Sequence, residues 1–371
     1  MRVIIVGAGI TGTAHAWMAV ERGHDVVHLD RELEARGATV RNFGLVWVSG
    51  RSAPELEITL RSRVLWEEIG ALVPAVGFRA NGSITLLRNA AEVAVAEEVV
   101  AREGADRRGF RLLTRAQVAE INPALQGEYL AGLNCTSDAA VESRQAMPAL
   151  RAHLARSGRY TFVPGVEARD IYGTSVRDDA GTVHAGDCVL LCPGANHRGL
   201  LHEVFGELPI RRVRLQMMQT APLGQRLTTS IADGDSLRYY PGFAGPALDE
   251  LRRTEPQRPI AAEQGMQLLC VQRLDGGLTI GDTHEYEEPF AFDVDEDPYA
   301  HLVAVTEGLL GRALPQIQRR WAGVYSQCTE PDRIVCRESI ADGVWAVTGP
   351  GGRGMTLGPA SAEESAGLMG W

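Results

Sequence analysis

A glycine-rich stretch near the start of the chain restricts the possible folds more than any other feature of the sequence. Gly7, Gly9 and Gly12 follow the β-branched run "RVIIV" and open the helix-like stretch "TGTAHAWMAVER". A second strand-like run, "HDVVHLD", ends in Asp30. This order predicts a βαβ unit with parallel strands. In such a unit the glycines let a phosphate approach the backbone at the helix N terminus, so the stretch predicts a dinucleotide site.

The glycine turn alone does not distinguish NAD, NADP and FAD. Asp30 stands at the strand end where a carboxylate accepts ribose hydroxyls and repels a 2′-phosphate, which disfavours NADP. A second glycine cluster, "GPGGRG" at residues 349–354, lies between the strand-like "VWAVT" and a helix-like segment. It predicts another helix N terminus, suited to stabilising negative charge on a reduced flavin. The sequence therefore favours FAD.

Composition excludes several other classes of protein. The chain has 371 residues and a formal net charge of -10, which argues against nucleic acid as the main partner. No apolar run reaches the roughly 18 residues that a membrane span needs. The N terminus has no secretory pattern, so we expect a cytoplasmic protein without a membrane partner. Six cysteines without metal-ligand spacing predict buried, reduced thiols and no metal site.

The rest of the chain predicts an α/β fold with an insertion. "CVLLC" is typical of a third buried parallel strand, whereas "IRRVRLQMMQTAP", "SLRYYPGF" and the hairpin signal "DGG" predict an antiparallel sheet. We expect a Rossmann-like FAD-binding domain built from the noncontiguous segments 1–75, 140–205 and 320–371. The inserted substrate-binding domain, an antiparallel β-sheet plus helices, takes residues 76–139 and 206–319.

Several motifs occur in an order that resembles a known family. The N-terminal unit is followed by "CVLLCPGAN", "GLTIGDTHE", "WAGVYSQCTEPDR" and "TGPGGRGMTLGP", as in the D-amino-acid oxidase-like flavoproteins, which include glycine oxidase and sarcosine oxidase. The resemblance implies oxidation of a C–N bond by hydride transfer to flavin N5, followed by imine hydrolysis. The stretch "TVRNFGLVWVSGR" is also similar to a branch of FAD oxidoreductases associated with phosphonate breakdown.

The resemblance also implies a set of residues that bind FAD. They come from the glycine turn, the end of the second strand, the segment beneath the flavin, the adenine contact, the "CPG" turn and the C-terminal loop. These residues are Gly7, Ala8, Gly9, Ile10, Thr11, Gly12, Asp30, Arg31, Thr39, Arg41, Asn42, Phe43, Gly44, Val166, Pro193, Gly194, Gly352, Arg353, Gly354, Met355 and Thr356.

Two positions depart from the family pattern. Covalent members carry a cysteine seven residues before the position of Asp332, where this chain has Tyr325, and Cys328 lies three residues away. We therefore expect noncovalent FAD. Glycine and D-amino-acid oxidases place an arginine that clamps the substrate carboxylate near the same strand, where Tyr325 again stands. This difference makes a plain α-amino acid a poor candidate for the substrate.

These departures favour a small anionic amine, preferably an aminoalkylphosphonate or its N-alkylated form, with O2 as one candidate electron acceptor. The candidate substrate residues are Arg51, Tyr240, His284, Tyr325 and Arg353, although each arginine has a solvent-exposed alternative. No catalytic acid or base is predicted. Four alternatives stay open: oxidation of glycine, sarcosine or a D-amino acid; an NAD-linked dehydrogenase; an RNA-modifying flavoprotein; and a noncatalytic flavoprotein.

Overall fold

Strands and helices occur along the whole chain, and this computed structural model describes residues 1–371. The strands are β1 (Arg2–Val6), β2 (Asp25–Asp30), β3 (Leu45–Val46), β4 (Ser83–Leu87), β5 (Phe110–Thr114), β6 (Ala131–Cys135), β7 (Ala139–Ala140), β8 (Tyr160–Pro164), β9 (Ala168–Tyr172), β10 (Ser175–Asp178), β11 (Val183–Ala185), β12 (Cys188–Leu191), β13 (Ile210–Pro222), β14 (Ser230–Asp233), β15 (Leu269–Gln272), β16 (Gly277–Gly281), β17 (Ile317–Cys328), β18 (Cys336–Ala341) and β19 (Val344–Thr348). The helices are α1 (Ile10–Glu21), α2 (Leu56–Leu72), α3 (Ala90–Val100), α4 (Arg115–Ile121), α5 (Ser143–Ala155), α6 (Leu200–Phe205), α7 (Asp235–Tyr239), α8 (Pro246–Thr254), α9 (Pro259–Glu263), α10 (Glu296–Leu310) and α11 (Gly354–Leu368).

The N-terminal segment forms the centre of a six-stranded sheet. The strand order is β18-β19-β12-β1-β2-β8, and all neighbours are parallel except β18 and β19. Val3, Ile4 and Ile5 are fully buried because helices cover one face and the small sheet β9–β11 covers the other. A parallel strand buried on both faces is continuously apolar, as "RVIIV" is. The predicted βαβ unit and the parallel strand at "CVLLC" are confirmed.

A second, eight-stranded sheet has the order β17-β13-β16-β15-β14-β4-β6-β5. Its neighbours are antiparallel apart from β14 and β4. Met217 and Met218 are both buried but belong to hydrophobic clusters on opposite faces, since side chains alternate along a strand. The predicted antiparallel sheet and its "DGG" hairpin between β15 and β16 are confirmed.

One predicted strand is wrong. In "SLRYYPGF", residues up to Tyr239 form the end of helix α7 instead. The Asp233 carboxylate accepts a hydrogen bond from the peptide N–H of Asp235 at 3.1 Å, which favours a turn at the start of this helix. Pro241 then disfavours helical backbone at Tyr240, so the helix ends there.

The proposed domain boundaries stay a prediction, although β17 runs across the one at 319/320. This strand pairs with β13 from Ile317 to Cys328, so it belongs to the eight-stranded sheet along its whole length.

All six cysteines are buried and free, which confirms the prediction of buried thiols. None of the helices combines the length and apolar character that crossing a membrane requires.

Candidate active site

A large cavity lies between the two major sheets. Its volume is about 830 Å³, towards the upper end of the usual range for ligand pockets. Its lining includes the glycine turn, the segment after β2, the loop after β12, and the loop that leads into α11. Leu215 and Met217 of β13 and Tyr325 of β17 form part of its wall on the side of the eight-stranded sheet.

The N-terminal glycines shape one part of this cavity. Gly7 has a φ of 103°, and a β-carbon there would lie 2.1 Å from the Cys192 carbonyl oxygen. A β-carbon on Gly12 would lie 1.9 Å from the Gly7 carbonyl oxygen. Neither Gly7 nor Gly12 could be replaced by a residue with a side chain without a clash, so the backbone of the turn lines the cavity directly. The N terminus of α1 borders the cavity here and presents the positive end of its dipole.

The Asp30 carboxylate holds the glycine turn from the end of β2. One of its oxygens accepts a hydrogen bond from the Ala8 N–H at 2.5 Å, and the other accepts one from the Glu32 N–H at 2.8 Å. The peptide N–H of Val166 donates to the Asp30 carbonyl oxygen at 3.1 Å. Asp30, Arg31 and Val166 all line the cavity. Asp30 therefore also orders the turn, a role that the sequence analysis missed.

The segment from Thr39 to Trp47 crosses the cavity on a path fixed by hydrogen bonds. The hydroxyl oxygen of Thr39 accepts from the Ile10 N–H at 3.0 Å. The Asn42 side chain donates to the Thr39 carbonyl at 2.7 Å and accepts from the Gly44 N–H at 2.7 Å. The bond to Ile10 attaches the segment to α1. The Asn42 amide forms its hydrogen bonds with neighbouring residues of the same turn.

The C-terminal glycine cluster brings a second helix to the same cavity. A short 3-10 turn, Gly351–Arg353, leads directly into α11. The first residues of α11 line the cavity, and the Thr356 hydroxyl accepts from the Trp47 N–H at 2.9 Å. The positive dipole ends of α1 and α11 therefore both border this cavity, an arrangement that suits an anionic ligand.

A buried arginine lines the cavity beside two aromatic residues. Arg51 is 5% exposed, and its Nε donates to the Trp47 carbonyl oxygen at 3.0 Å. Its guanidinium carbon lies 5.7 Å from the centre of the Tyr240 ring. Neither terminal nitrogen of Arg51 has an acceptor within the protein, and burial lowers the pKa of this side chain. Glu55 opposes the charge of Arg51 only in part, because it forms no ion pair with Arg51 and already pairs with Arg353. A buried cation with so little compensation is costly, so this position suits an anion.

Two other cavity-lining arginines already have partners in the protein. Arg353 forms an ion pair with Glu55 at 2.7 Å. Burial alone would raise the pKa of Glu55, but Arg353 and hydrogen bonds from Ser52 hold this pKa below its ordinary value. Arg41 is exposed and donates to the Ala322 carbonyl oxygen at 2.8 Å. Among these arginines, Arg51 has the greatest unmet capacity for binding an anion.

A buried carboxylate lines the same cavity and is connected to Tyr240. The Tyr240 hydroxyl accepts a hydrogen bond from Gln267 Nε2 at 3.0 Å, and this nitrogen is 3.4 Å from Asp282 Oδ1. Asp282 is 4% exposed, and its burial raises the pKa of the carboxyl although His284 opposes the shift. The cavity therefore has a buried carboxylate, suited to a cationic group, as well as the Arg51 cation.

Further aromatic and polar side chains complete this part of the wall. His284 stacks on Tyr239 with ring centres 4.2 Å apart, and its Nδ1 lies 3.0 Å from the Gly265 carbonyl oxygen. Burial raises the pKa of both Tyr239 and Tyr325, so their hydroxyl groups stay neutral at pH 7. These tyrosines supply polar atoms without adding charge.

Comparison with known proteins identifies the family. A family model described as "FAD dependent oxidoreductase" matches residues 2–368. The chain belongs to the FAD-dependent oxidoreductase family. This match confirms the predicted FAD cofactor and the predicted enzyme class, and it decides against the NAD-linked alternative.

Individual relatives are distant but cover nearly the whole chain. D-amino acid dehydrogenase 3 from Mesorhizobium japonicum is 23% identical over 421 residues, covering 97% of this chain and 95% of that protein. A tRNA 5-methylaminomethyl-2-thiouridine biosynthesis bifunctional protein from Caulobacter vibrioides is 26% identical over 378 residues, covering 97% of this chain but only 53% of that protein. The structure of glycine oxidase from Bacillus cereus has a TM-score of 0.78 and 19% identity, covering 100% of this chain and 94% of that one. The structural similarity confirms the predicted fold class.

The cavity of this FAD-dependent oxidoreductase fits the cofactor, because Gly7 and Gly12 leave no room for β-carbons and the N termini of α1 and α11 border the cavity with positive potential. All of the predicted FAD-binding residues line the cavity except Ala8 and Gly44. Ala8 uses its N–H on Asp30, and Gly44 turns the chain with a φ of 73°. The predicted substrate residues line the cavity too. The roles of all these residues stay predictions.

Two residues that line this cavity, Asp282 and Gln267, were not predicted from the sequence, and neither was Glu55, the partner of Arg353. Asp282 lies two residues before His284, and this spacing in an extended segment was a usable signal, since alternate residues share a face. Glu55, which compensates Arg353, and Gln267, which connects Tyr240 to Asp282, had no comparable signal because their partners are distant in sequence.

We expect FAD to be bound without a covalent link. Cys328 does not line the cavity, and Tyr325 occupies the attachment position named above. The purified protein should be yellow, and acid precipitation should release all of the colour as FAD. Colour that remains with the precipitated protein would contradict this prediction.

Proposed function

We propose that this oxidoreductase oxidises the C–N bond of a small amine that carries an anionic group, with aminoalkylphosphonates or their N-alkylated forms favoured. The observation that carries the proposal is the buried Arg51, whose terminal nitrogens have no protein acceptor. Asp282 adds a buried carboxylate in the same cavity. A substrate with both an ammonium and an anionic group matches this pair of charges.

FAD would be held by the turn from Gly7 to Gly12, by Asp30 at the adenosine ribose, and by the segments 39–44 and 352–356. When bound, FAD supplies a two-electron acceptor for a hydride from the carbon next to the substrate nitrogen. The N terminus of α11 adds positive potential, which suits the negative charge of a reduced flavin.

The chain's own side chains would bind the substrate and manage its proton. Arg51 binds the anionic group through its terminal N–H groups. The amine arrives as an ammonium ion and must lose a proton before hydride leaves its neighbouring carbon. The Asp282 carboxylate is suited to accept that proton, because burial raises its pKa. The Trp47 and Tyr240 rings line the cavity beside Arg51. The imine formed from the substrate then takes up water and hydrolyses to a carbonyl compound and ammonia or a smaller amine.

A phosphonate is favoured over a carboxylate by the arrangement of cations. Tyr325 stands where an amino-acid-clamping arginine is expected, so direct hydrogen bonding to the anion falls to Arg51, and Arg41 adds only longer-range positive charge. A phosphonate has three oxygens and up to two negative charges, and it rewards contacts from several directions. The similarity of "TVRNFGLVWVSGR" to the phosphonate-associated branch adds to this support.

A second candidate is oxidation of glycine, sarcosine or a D-amino acid. The names of the Mesorhizobium and Bacillus proteins support it. A role in RNA modification has weaker support, since the Caulobacter relative is about twice as long as the match and this chain carries a net charge of -10.

The test is anaerobic reduction of the bound flavin by a panel of amines. We expect 2-aminoethylphosphonate or its N-methyl form to bleach the flavin absorbance faster than glycine, sarcosine or D-alanine at equal concentrations. Faster bleaching by an amino acid would favour the second candidate. Bleaching by none of the amines would contradict both proposals and favour a noncatalytic flavoprotein.

The proposed role of Asp282 predicts that kcat/KM depends on pH. The ionised carboxylate attracts the ammonium group, so kcat/KM should rise with pH through the raised pKa of Asp282. Asp282→Asn should lower kcat/KM and remove this acid-side ionisation, while the ionisation of the substrate amine stays in the profile. Comparison of pH–rate profiles checks the assignment. An identical acid limb in the variant would rule out this role.

A further inference from the structure

A second cavity, of about 210 Å³, lies beside the segment that crosses the main cavity. Its lining is almost entirely polar and includes Arg273 after β15, Arg319 of β17, and the first turn of α5. Asn42 lines both cavities, so only the 42–44 segment separates them at this point. Nothing in the proposed reaction uses this second cavity.

Arg273 is the buried group of the second cavity. It is 8% exposed, and its Nη1 donates to the Val141 carbonyl oxygen at 3.3 Å. Its Nε and Nη2 are buried without an acceptor. The Glu142 carboxylate is 3.8 Å away and already pairs with Arg79 at 2.7 Å. Three N–H groups on those two nitrogens therefore lack a partner in a buried position, which is costly for a charged group.

The charges around Arg273 leave the site electropositive. Burial lowers the pKa of Arg273 to about 10. The like charges of Arg79 and Arg144 add to the lowering, whereas Glu142 and Asp275 oppose it. Burial is the main cause of the lowered pKa of Arg144, and the like charge of Arg319 adds to the lowering. These cations repel one another, so a bound anion would relieve both the repulsion and the unmet hydrogen bonding of Arg273.

Other donors surround the space in front of Arg273. Arg144 lies over the Trp321 ring with its guanidinium carbon 4.8 Å from the ring centre. The helix that begins at Ser143 has 13 residues, and its N terminus borders the cavity with the positive end of its dipole. Glu142 and Asp275 are the opposing charges at the cavity. Glu142 already pairs with Arg79, and Asp275 is exposed and accepts a hydrogen bond from the Gly277 N–H at 2.8 Å.

We propose that this second cavity binds a small oxyanion that accepts hydrogen bonds from Arg273 and charge from Arg144 and Arg319. Inorganic phosphate and a short dicarboxylate such as malonate share the required chemistry, with several charged oxygens in a small volume. A β-carbon on Gly44 would lie 3.1 Å from Arg273 Nη1, so the anion sits next to the segment that borders the main cavity. The site is separate from the anion position proposed at Arg51.

The proposal is tested by isothermal titration calorimetry of the FAD-loaded protein at constant ionic strength. Phosphate and malonate are titrated in separate experiments, which distinguishes the two sources of the oxyanion. Arg273→Gln should weaken binding of the preferred anion by at least about tenfold, as expected for loss of charge-assisted hydrogen bonds. Arg156→Gln, at the exposed C-terminal end of α5, removes the same charge and should leave the affinity unchanged.

Two further variants keep the proposal testable if Arg273→Gln fails to fold. Arg144→Gln alters an exposed side chain and should weaken binding and abolish an anion-induced change in tryptophan fluorescence, because Arg144 lies over Trp321. Arg51→Met should leave this binding unchanged. Loss of binding in Arg51→Met with retention in Arg144→Gln would place the anion in the main cavity and overturn the proposal. The proposal would also be overturned if neither phosphate nor malonate bound at millimolar concentration.

Discussion

Gly12→Ala should yield a protein that is less stable and largely free of FAD. The new β-carbon would lie 1.9 Å from the Gly7 carbonyl oxygen, a backbone atom that cannot rotate away. Either α1 or the turn at Gly7 must move, and overpacking of this kind costs about 1–3 kcal/mol of stability. The same movement disturbs the turn that is predicted to receive the pyrophosphate, so we expect FAD affinity to fall at least about tenfold, equivalent to about 1.4 kcal/mol. Thermal denaturation and FAD titration of the apoprotein measure the two effects.

Gly37→Ala provides the matched control. Gly37 also lines the main cavity, has a φ of −81°, and has no atom within 4 Å of the position of an added β-carbon. We expect its stability and FAD content to match those of the wild-type protein. Normal FAD affinity in Gly12→Ala would mean that the turn does not approach the pyrophosphate.

Arg51→Met should remove most of the activity towards an anionic amine. Methionine keeps much of the apolar bulk beside Trp47 and Tyr240 but cannot donate hydrogen bonds to the anion. The loss of one well-placed charged contact in a site that excludes water should cost about 2–4 kcal/mol of transition-state stabilisation, which is measured as a fall in kcat/KM. The steady-state kinetics of the best substrate from the amine panel measure the effect, and FAD content and Tm show whether the fold is intact.

A comparison with Arg41→Met separates a specific contact from the general charge of the cavity. Arg41 also lines the cavity, but it is exposed and bonded to the Ala322 carbonyl oxygen, so its loss should have a much smaller effect. Oxidation of an amine of similar size that has no anionic group should be affected little by Arg51→Met. Equal losses in both arginine variants, or with both kinds of amine, would contradict the role of Arg51 as the anion-binding residue.

The half of the molecule built on the six-stranded sheet was predictable because its signals are local. Gly7, Gly12 and Asp30 occur within one βαβ unit, where chain direction and glycine geometry follow from neighbouring residues. The second glycine cluster was equally readable from its position between β19 and α11. Even there, the sequence did not reveal that Asp30 also hydrogen-bonds to the turn itself.

The substrate end was less predictable because it depends on segments distant in sequence. "SLRYYPGF" has alternating character typical of a strand, yet the hydrogen bond from Asp235 to Asp233 and the proline at 241 favour a short helix. Asp282 was overlooked beside His284. Its importance arises from burial against Gln267 and Tyr240, which no local pattern records.

By itself, the sequence determined the dinucleotide unit, the family resemblance and a set of arginines suited to an anion. Only the tertiary structure decided how these arginines differ. Arg353 meets Glu55, Arg41 reaches a carbonyl oxygen at the surface, and Arg51 is buried with its terminal nitrogens unpaired. The physical reason is that the net electrostatic effect of an arginine depends on its burial and on the acceptors around it. Those acceptors come from segments that meet only when the two sheets pack together.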